Sequence, residues 1–466
     1  MQRKKQKSAF HFVIFQLIFL IFTFMAYANS TEISTQLDEY LSAHAKNKDF
    51  SGSVIVANQD KVIFSNSYGL SDYENDVSNT INTKFRLGSL SKPFTSLAIM
   101  ILQERGRLNI EDPISQYIPD YPRGKQIKIR HLLTHTSGIP NYTAFYDHKF
   151  FMKHRRSPHE IIETFKDKDL LFDPGSRFEY SNSGYVLLGY IIERVAGKSY
   201  AEYIRESIFD PLNMQDSDYD RSFALVKGRA RGYIQAGTDF ENADFVDMSV
   251  PYSAGGLYSS VMDLMKFSRA ILQKRIVLDK TWKQIFTSYY PTGYSHYGLG
   301  WFIDKIYDKK RISHPGAIQG FSAHLAIFPE DNFIIALLCN IEFAPLEQIS
   351  RGIIGILLKK NIRIPPLKKT EKIAIEDFES YTGLYQVSDE LSIEVFSEGK
   401  RLYVEPSGQP RFQILHRGKE NYGPRMGNWY ITFIRDEAGK VTGLILHVNG
   451  EKREGVKIYK SSFKEL

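Results

Sequence analysis

Strand-like segments lie at both ends of residues 50–340, and apolar helical segments lie between them. "FSGSVIVANQDKVIFSNSYGLSD" (Phe50–Asp72) predicts a hairpin that turns at Asn58–Asp60. "YGLGWFI" (Tyr297–Ile303) and "HLAIFPEDNFIIALLCN" (His324–Asn340) predict antiparallel strands, and "LEQISRGIIGILLKK" (Leu346–Lys360) predicts a closing helix. Because strands from both chain ends can pair in one sheet, we expect an α+β fold. It would contain an antiparallel sheet flanked by helices and a mostly helical subdomain.

A second unit follows a proline- and lysine-rich break. "IRIPPLKKTEK" (Ile362–Lys372) is typical of a linker, which we place at residues 362–375. Short alternating strands follow, with Gly439 at one hairpin turn, and predict a small all-β barrel over residues 376–466. The first unit then covers residues 29–361.

The N-terminus has the pattern of a signal peptide. Four basic residues precede the apolar run "VIFQLIFLIFTFM" (Val13–Met25), and "AYANS" supplies small residues at Ala26 and Ala28. We expect residues 1–28 to be removed and the protein to be exported, periplasmic or secreted. Because Ser8–Ala28 is just long enough to span a bilayer, an uncleaved anchor is the alternative and the only expected membrane contact. The single cysteine, Cys339, permits no internal disulfide, and its apolar strand predicts a buried, inert thiol.

Charge and motifs exclude several function classes. The formal net charge is +7, but four of the basic residues (Arg3, Lys4, Lys5 and Lys7) fall within the signal segment. No basic block interleaved with aromatics follows, so we expect no nucleic acid partner. No Walker or dinucleotide glycine pattern occurs, and we expect no cofactor.

The stretch "RLGSLSKPFTSLAIM" (Arg86–Met100) begins an apolar helix with an unusual set of residues. Proline is harmless only in the first turn of a helix, so Pro93 requires the helix to begin near Ser89. Ser89 and Lys92 then lie three residues apart on one face of the first turn. A buried lysine with a lowered pKa can accept a proton from a serine, and a helix N-terminus offers N–H donors to an oxyanion. A serine helix cap followed by a surface lysine is the alternative.

Two further segments carry chemistry in combination with this one. In "FEYSNSGYVLLG" (Phe178–Gly189), Tyr180 is a candidate proton shuttle, with its tyrosinate stabilised by Lys92, and Asn182 is a candidate donor to a substrate amide. Helix capping by Ser181, Asn182 or Ser183 is the alternative. In "ISHPGAIQGF" (Ile312–Phe321), His314 and Gly316 precede a strand that can bring backbone N–H groups close to substrate, or simply form a Pro-Gly turn.

Two other patterns have structural explanations. His131 and His135 are four apart, a spacing that suits zinc, but the glutamate of an HExxH motif is absent and loop packing is favoured. Asp263 follows Ser260 at capping-box spacing and needs only that role. We therefore expect no metal site.

The order Ser89-x-x-Lys92, Tyr180-x-Asn182 and His314-x-Gly316 resembles the penicillin-recognising serine hydrolases. This superfamily holds class C β-lactamases, D-Ala-D-Ala carboxypeptidases, D-aminopeptidases and related esterases. "FRLGSLSKPFT", "IRHLLTHTSGI", "PYSAGGLYSSVMDL", "YGLGWF" and "HPGAIQGF" resemble the same family, so the resemblance extends from Phe50 to Asn340. It implies a β-lactamase/transpeptidase-like fold, and the tail resembles the lipocalin-like barrel of some D-aminopeptidase-type members.

The resemblance also implies an acyl-enzyme mechanism. Ser89 would be the nucleophile, Lys92 and Tyr180 would handle protons, and the backbone N–H groups of Ser89 and Ala317 would form the oxyanion hole. Asn182, His314 and Gly316 would contact substrate. Penicillin-binding proteins and true β-lactamases usually carry Lys-Thr-Gly where this chain has His314-Pro315-Gly316, and a histidine is mostly neutral above pH 7.

The expected activity is hydrolysis of a small amide or ester, with D-amino-acid peptides as one candidate substrate class. A β-lactamase or D,D-carboxypeptidase is one alternative, and a non-catalytic protein that binds cell-wall peptides or β-lactams is another. The expected partner is a small molecule or short peptide, and assembly into a homo-oligomer is left open.

Overall fold

An eight-stranded antiparallel sheet and a closed barrel organise the chain. The computed structural model describes residues 31–145, 148–236, 239–293, 295–367, 378–388, 391–399, 401–407, 412–416, 420–424, 429–448 and 450–458. The predicted signal segment 1–28 and most of the predicted linker lie outside these residues. Within them, no helix combines the length and apolarity that a membrane crossing requires.

The helices of the described residues are mostly short and flank the sheet. They are α1 (31–46), α2 (Lys92–Glu104), α3 (Ile129–Leu133), α4 (His148–Phe151), α5 (Pro158–Glu163), α6 (Asn182–Ala196), α7 (Tyr200–Ile204), α8 (Tyr252–Gly255), α9 (Val261–Leu272), α10 (Asp279–Ile285), α11 (Leu346–Leu357) and α12 (Phe378–Tyr381).

The strands of the first unit run from β1 to β15. They are β1 (Gly52–Ala57), β2 (Val62–Tyr68), β3 (Leu70–Asp72), β4 (Val77–Ser78), β5 (Phe85–Arg86), β6 (Asp218–Tyr219), β7 (Tyr233–Ala236), β8 (Asp239–Asn242), β9 (Leu257–Ser259), β10 (Tyr290–Pro291), β11 (His296–Tyr297), β12 (Phe302–Ile306), β13 (Lys309–Ile318), β14 (Phe321–Phe328) and β15 (Phe333–Cys339).

Both chain ends contribute to the main sheet, as the strand pattern predicts. Its order is β10-β11-β12-β13-β14-β15-β1-β2. Strand β1 pairs antiparallel with β15, from Gly52 opposite Cys339 to Ala57 opposite Ile334. The central strands are buried on both faces because helices cover each side, and therefore they are continuously apolar rather than alternating.

Two apolar cores lie on opposite faces of this sheet. The larger core joins one face to α2, α6 and α9, and α2 is buried from Lys92 to Leu102. The smaller core joins the other face to α1 and α11, and it includes Cys339, which is fully buried as the sequence predicts. The larger core therefore encloses the first turn of α2, where Ser89 and Lys92 are expected.

The tail forms the closed antiparallel barrel that the alternating pattern predicts. Its strands are β16 (Gly383–Gln386), β17 (Ser392–Glu398), β18 (Arg401–Pro406), β19 (Phe412–His416), β20 (Asn421–Gly423), β21 (Trp429–Arg435), β22 (Val441–Val448) and β23 (Glu451–Ile458). Buried tyrosine, valine, isoleucine and leucine side chains fill its interior. The barrel contacts the β7–β8 hairpin, because Arg401 pairs with Glu241 and Gln413 Nε2 donates to the Gln235 carbonyl at 3.1 Å. The exact boundaries of the two units stay predictions.

Candidate active site

A tight turn before α2 holds Ser89. Residues Gly88–Ser91 form a 3-10 turn, and the α-helix proper begins at Lys92 with Pro93 in its first turn. The helix therefore begins slightly later than expected, because the tighter 3-10 turn satisfies the constraint of Pro93 equally well. Ser89 and Lys92 remain three residues apart on one side, and Lys92 Nζ lies 3.0 Å from Ser89 Oγ.

Lys92 is completely buried and lies next to two further oxygen atoms. Its Nζ lies 2.8 Å from Asn182 Oδ1 and 2.9 Å from the Ala254 carbonyl oxygen. Burial lowers the pKa of this lysine well below its usual value, and Lys92 makes no ion pair among the described residues. A neutral amine can donate to Asn182 and Ala254 and direct its lone pair toward the Ser89 hydroxyl. The geometry therefore suits proton acceptance from Ser89.

Tyr180 lies beside both residues. Lys92 Nζ lies 4.9 Å from the centroid of the Tyr180 ring. Burial raises the pKa of Tyr180 above its usual value, and the hydroxyl of Ser89 offsets part of this rise. Because burial favours the neutral forms of both side chains, Tyr180 is a phenol here. The expected tyrosinate, stabilised by a cationic Lys92, does not form in this environment.

Asn182 is the first residue of α6 and is held from three sides. Its Oδ1 faces Lys92, its Nδ2 donates to Thr143 Oγ1 at 3.2 Å, and its backbone N–H donates to Asn141 Oδ1 at 3.0 Å. Ser181 is the N-cap, but its side chain makes no capping hydrogen bond. These contacts fix the amide orientation of Asn182, whereas its contact with substrate stays a prediction.

Two glycines allow β13 to pack directly against the turn that carries Ser89. A Cβ atom at Gly316 would lie 2.0 Å from the Leu87 carbonyl oxygen. Gly88 has φ +51°, and a Cβ atom there would lie 2.6 Å from the Ala317 carbonyl oxygen. The backbones around Ser89 and Ala317 thus approach closely, as an oxyanion hole from these two residues requires. The oxyanion role itself stays a prediction.

His314 lies inside the protein rather than at its surface. Its ring is fully buried, with Nε2 3.1 Å from Tyr297 Oη and Nδ1 2.6 Å from the Pro315 carbonyl oxygen. Burial is the main cause that lowers the pKa of His314 to about 3, and the hydrogen bond to the Pro315 carbonyl opposes this shift. The ring is therefore neutral, and the predicted contact between this side chain and substrate stays a prediction.

A buried chain of hydrogen bonds passes through His314, and backbone groups at its two ends determine which ring nitrogens carry protons. Ser181 N–H donates to His135 Nδ1 at 3.1 Å, and so the proton of the neutral His135 ring is on Nε2. His135 Nε2 lies 3.2 Å from Tyr297 Oη and donates to it. Tyr297 then donates to His314 Nε2, and His314 Nδ1 donates to the Pro315 carbonyl. This His135–Tyr297–His314 chain joins the Tyr180 segment to strand β13.

The sequence matches a known protein family over most of its length. The family profile described as "Beta-lactamase" matches residues 37–353. The chain belongs to the beta-lactamase family. The expected resemblance to the penicillin-recognising serine hydrolases is thereby confirmed, and so are the sheet, the helices and the small barrel of the expected fold.

Two similar proteins cover about nine-tenths of the chain, and a third shares the fold over a smaller part. Penicillin-binding protein 4* of Bacillus subtilis (strain 168) is 29% identical over 434 residues, covering 88% of this chain and 95% of its own length. The octameric penicillin-binding protein homologue from Pyrococcus abyssi has a TM-score of 0.62 at 27% identity, covering 90% of this chain and 99% of its own. A D-amino acid amidase from Ochrobactrum anthropi SV3 shares the fold, with a TM-score of 0.62 at 23% identity over 71% of this chain and 99% of its own.

The site also contains residues that sequence reasoning missed or explained otherwise. His135 was assigned to loop packing, but its ring stacks on Tyr180 with centroids 4.1 Å apart. Its φ of +56° is uncommon for a residue other than glycine, and Tyr297 was not singled out at all. The paired histidine spacing of "HLLTHTSG" was the available signal.

The His131 and Ser260 side chains make local contacts with the backbone. His131 Nδ1 accepts the Lys128 backbone N–H at 3.3 Å, and no metal-binding group of histidine, cysteine, aspartate and glutamate side chains forms among the described residues. The Asp263 backbone N–H donates to Ser260 Oγ at 3.3 Å, as a helix cap does.

Proposed function

We propose that this chain is an exported serine hydrolase that forms an acyl-enzyme on Ser89 with a small amide or ester. One observation carries the proposal: Lys92 is buried, makes no ion pair among the described residues, and lies 3.0 Å from the hydroxyl of Ser89 in the turn before α2. A serine becomes a good nucleophile when a nearby base takes its proton, and a desolvated lysine is such a base. Membership of the beta-lactamase family supports the same chemistry.

In the proposed acylation, Lys92 Nζ takes the Ser89 proton while Oγ attacks the substrate carbonyl carbon. The carbonyl oxygen becomes an oxyanion, which the Ser89 and Ala317 N–H groups would stabilise. The bond to the leaving nitrogen or oxygen then breaks, and the leaving atom takes a proton. Tyr180 would deliver it, because burial keeps its phenol protonated and its hydroxyl contacts Ser89, and the proton that Lys92 took would then return to Tyr180. Water then attacks the acyl carbon, restoring the Ser89 hydroxyl and releasing the acid.

The state of His314 supports neutral amides and esters as substrates. A cation is the usual partner of a substrate carboxylate, and a fully buried, neutral imidazole cannot supply one at this position. D-amino-acid amides and peptides are the first class to test, and the D-amino acid amidase of the same fold supports this choice.

Covalent binding of penicillins is the second candidate function. It is supported by the similarity, over most of the chain, to a protein named as a penicillin-binding protein. In that case a β-lactam would acylate Ser89 and hydrolysis would be slow. A protein that only binds cell-wall peptides would show neither acylation nor turnover.

Hydrolysis of three chromogenic substrates by purified protein separates these functions. We expect turnover of D-alanine p-nitroanilide and p-nitrophenyl acetate, weak turnover of nitrocefin, and loss of all three in Ser89→Ala. Nitrocefin as the best substrate would favour a β-lactamase. Equal rates for Ser89→Ala and the native chain would contradict the proposed nucleophile.

Export is proposed from the N-terminal pattern alone. Cleavage after Ala28 would leave Asn29 as the first residue of the mature chain. Edman sequencing of protein recovered from a fractionated bacterial host tests this. An intact Met1 in the membrane fraction would instead indicate the uncleaved anchor.

A further inference from the structure

A cavity lies in the helical subdomain, and the proposed catalytic residues do not line it. Its volume is about 560 Å³, within the range of small-molecule sites. It is lined by the segments around the start of α5, the end of α6, the start of α7, β6 and the start of α8. Ser89, Lys92, Tyr180, Asn182 and His314 are not among its lining residues.

Three tyrosine rings form an aromatic wall of this cavity. The ring centroids of Tyr200 and Tyr252 are 5.3 Å apart, those of Tyr200 and Tyr219 are 6.1 Å apart, and those of Tyr219 and Tyr252 are 6.4 Å apart. Tyr200 and Tyr252 are almost fully buried, so the partly exposed Tyr219 is the main ring of this cluster that can pack against a flat apolar group. The cavity therefore suits a ligand with an aromatic or apolar body.

Two arginines at the cavity, the exposed Arg155 and the partly buried Arg221, make no ion pair among the described residues. The Arg155 guanidinium lies 5.2 Å from the centroid of the Phe223 ring, and that of Arg221 lies 5.7 Å from the centroid of the Tyr219 ring. Across the described residues, neither guanidinium makes a hydrogen bond or an ion pair. Guanidinium groups in a pocket usually bind carboxylate or phosphate groups in pairs of hydrogen bonds.

The acidic side chains of the same cavity are already occupied by protein donors. Glu193 accepts the Tyr200 N–H at 2.8 Å, and Asp247 accepts the Ser249 N–H at 3.0 Å. Asp220 pairs with Arg86 and Arg229, which lie outside the cavity lining. Glu160, the fourth acid of the lining, pairs with Arg156 and accepts from Ser157. Arg155 and Arg221 are therefore the charged groups of the lining for which no protein partner is seen among the described residues.

We propose that this cavity is a binding site for a carboxylate carried on an aromatic or apolar body, such as an N-acylated aromatic amino acid or the carboxyl end of a short peptide. The carboxylate pairs with Arg155 and Arg221, and the body packs on the tyrosine wall. A single carboxylate suits the site better than a phosphate dianion, because Glu193 and Asp247 would repel the extra charge.

The wall of this cavity also touches the catalytic helix. Tyr200 Oη lies 2.7 Å from the Oγ1 atom of Thr95, which is three residues beyond Lys92 on α2. Thr95 also donates to the Ser253 carbonyl at 2.7 Å, and the next carbonyl, that of Ala254, contacts Lys92. Tyr252, at φ +42°, begins this segment. A ligand on the tyrosine wall is therefore coupled to the position of Lys92.

Calorimetric titration of the full Ser89→Ala chain with N-acetylphenylalanine tests the site without any turnover. We expect one saturable site for the acid and none for the neutral N-acetylphenylalaninamide. Arg155→Ala/Arg221→Ala should weaken binding about tenfold or more, since charged hydrogen bonds are lost. Arg194→Ala is a matched control, because its guanidinium also lies 5.7 Å from a tyrosine ring centroid but outside the cavity lining.

Three results would overturn the proposed site: no saturable binding at millimolar ligand, equal binding of acid and amide, or equal effects of the double variant and Arg194→Ala. The coupling is tested by the rate at which a fluorophosphonate labels Ser89 in the native chain. We expect saturating N-acetylphenylalanine to change the labelling rate of the native chain and to leave the labelling rate of Arg155→Ala/Arg221→Ala unchanged. An unchanged rate would overturn the coupling. Only the labelling experiment rests on the proposed function of Ser89 as nucleophile, so the proposed binding site and the proposed nucleophile can fail separately.

Discussion

Replacement of Tyr297 by phenylalanine removes the middle of the buried His135–Tyr297–His314 chain. The substitution leaves the ring in place and removes only the hydroxyl. His135 Nε2–H then lacks its acceptor, and His314 Nε2 lacks its donor. Neither ring can adapt by moving its proton, because Ser181 N–H requires a bare Nδ1 on His135 and the Pro315 carbonyl requires a protonated Nδ1 on His314.

The cost follows from two buried polar groups that lose their partners. Each such group costs about 1–3 kcal/mol, so the loss of both partners in Tyr297→Phe should destabilise the first unit by about 2–6 kcal/mol. The chain joins the Tyr180 segment to strand β13, and small displacements of catalytic groups are expensive. We therefore also expect kcat/KM to fall about tenfold to a hundredfold, mainly through kcat.

The matched control is Tyr203→Phe. The Tyr203 hydroxyl is also buried, and by geometry it makes no hydrogen bond among the described residues, so its removal should leave both the melting temperature and the turnover close to native. Thermal unfolding and ester hydrolysis of the two variants are compared side by side. If Tyr297→Phe behaves like Tyr203→Phe in both assays, the chain does not position the site.

Two further substitutions test other parts of the site. Gly316→Ala places a methyl group 2.0 Å from the Leu87 carbonyl oxygen, so it should abolish turnover and lower the melting temperature. The matched control is Gly184→Ala, whose added methyl group would make only an ordinary contact at 3.5 Å and should change neither quantity. Equal effects of the two substitutions would contradict the close approach of β13. Burial, with a smaller contribution from Asp244, raises the pKa of Glu342 to about 7 against the opposing effects of the Gly320 N–H and Arg401. Because the folded state holds this proton more tightly than the unfolded chain, stability is lost as the pH rises. The melting temperature of the native chain should therefore fall relative to that of Glu342→Gln between about pH 5 and about pH 8. A difference between the two melting temperatures that stays constant over this range would contradict the raised pKa.

The fold and the closeness of Ser89 to Lys92 could be predicted from local sequence constraints. Pro93 restricts where α2 can begin, which places Ser89 and Lys92 on one side of a single turn. The hairpin before it and the apolar strands after residue 296 predict a sheet built from both chain ends, and β1 does pair with β15. These features are local, or depend on a hydrophobic pattern that repeats over many residues.

The contacts that set protonation states could not be predicted in the same way. His135 and Tyr297 meet although they are 162 residues apart, and Lys92 meets the Ala254 carbonyl across the same sequence distance. The neutral state of Tyr180 follows from burial, which depends on how α2, α6 and β13 pack together. Without that packing, a tyrosinate beside a charged lysine was the natural expectation.

The central claim is that Ser89 is the nucleophile and that Lys92 is its neutral base. The most direct measurement is the pH dependence of fluorophosphonate labelling, followed by intact-protein mass spectrometry and peptide mapping. We predict one adduct on Ser89, with a rate that falls as the pH drops through the lowered pKa of Lys92 and protonates the amine. Labelling should be absent in Ser89→Ala and lose this pH dependence in Lys92→Met. An adduct on another residue, or an unchanged rate in Lys92→Met, would contradict the account.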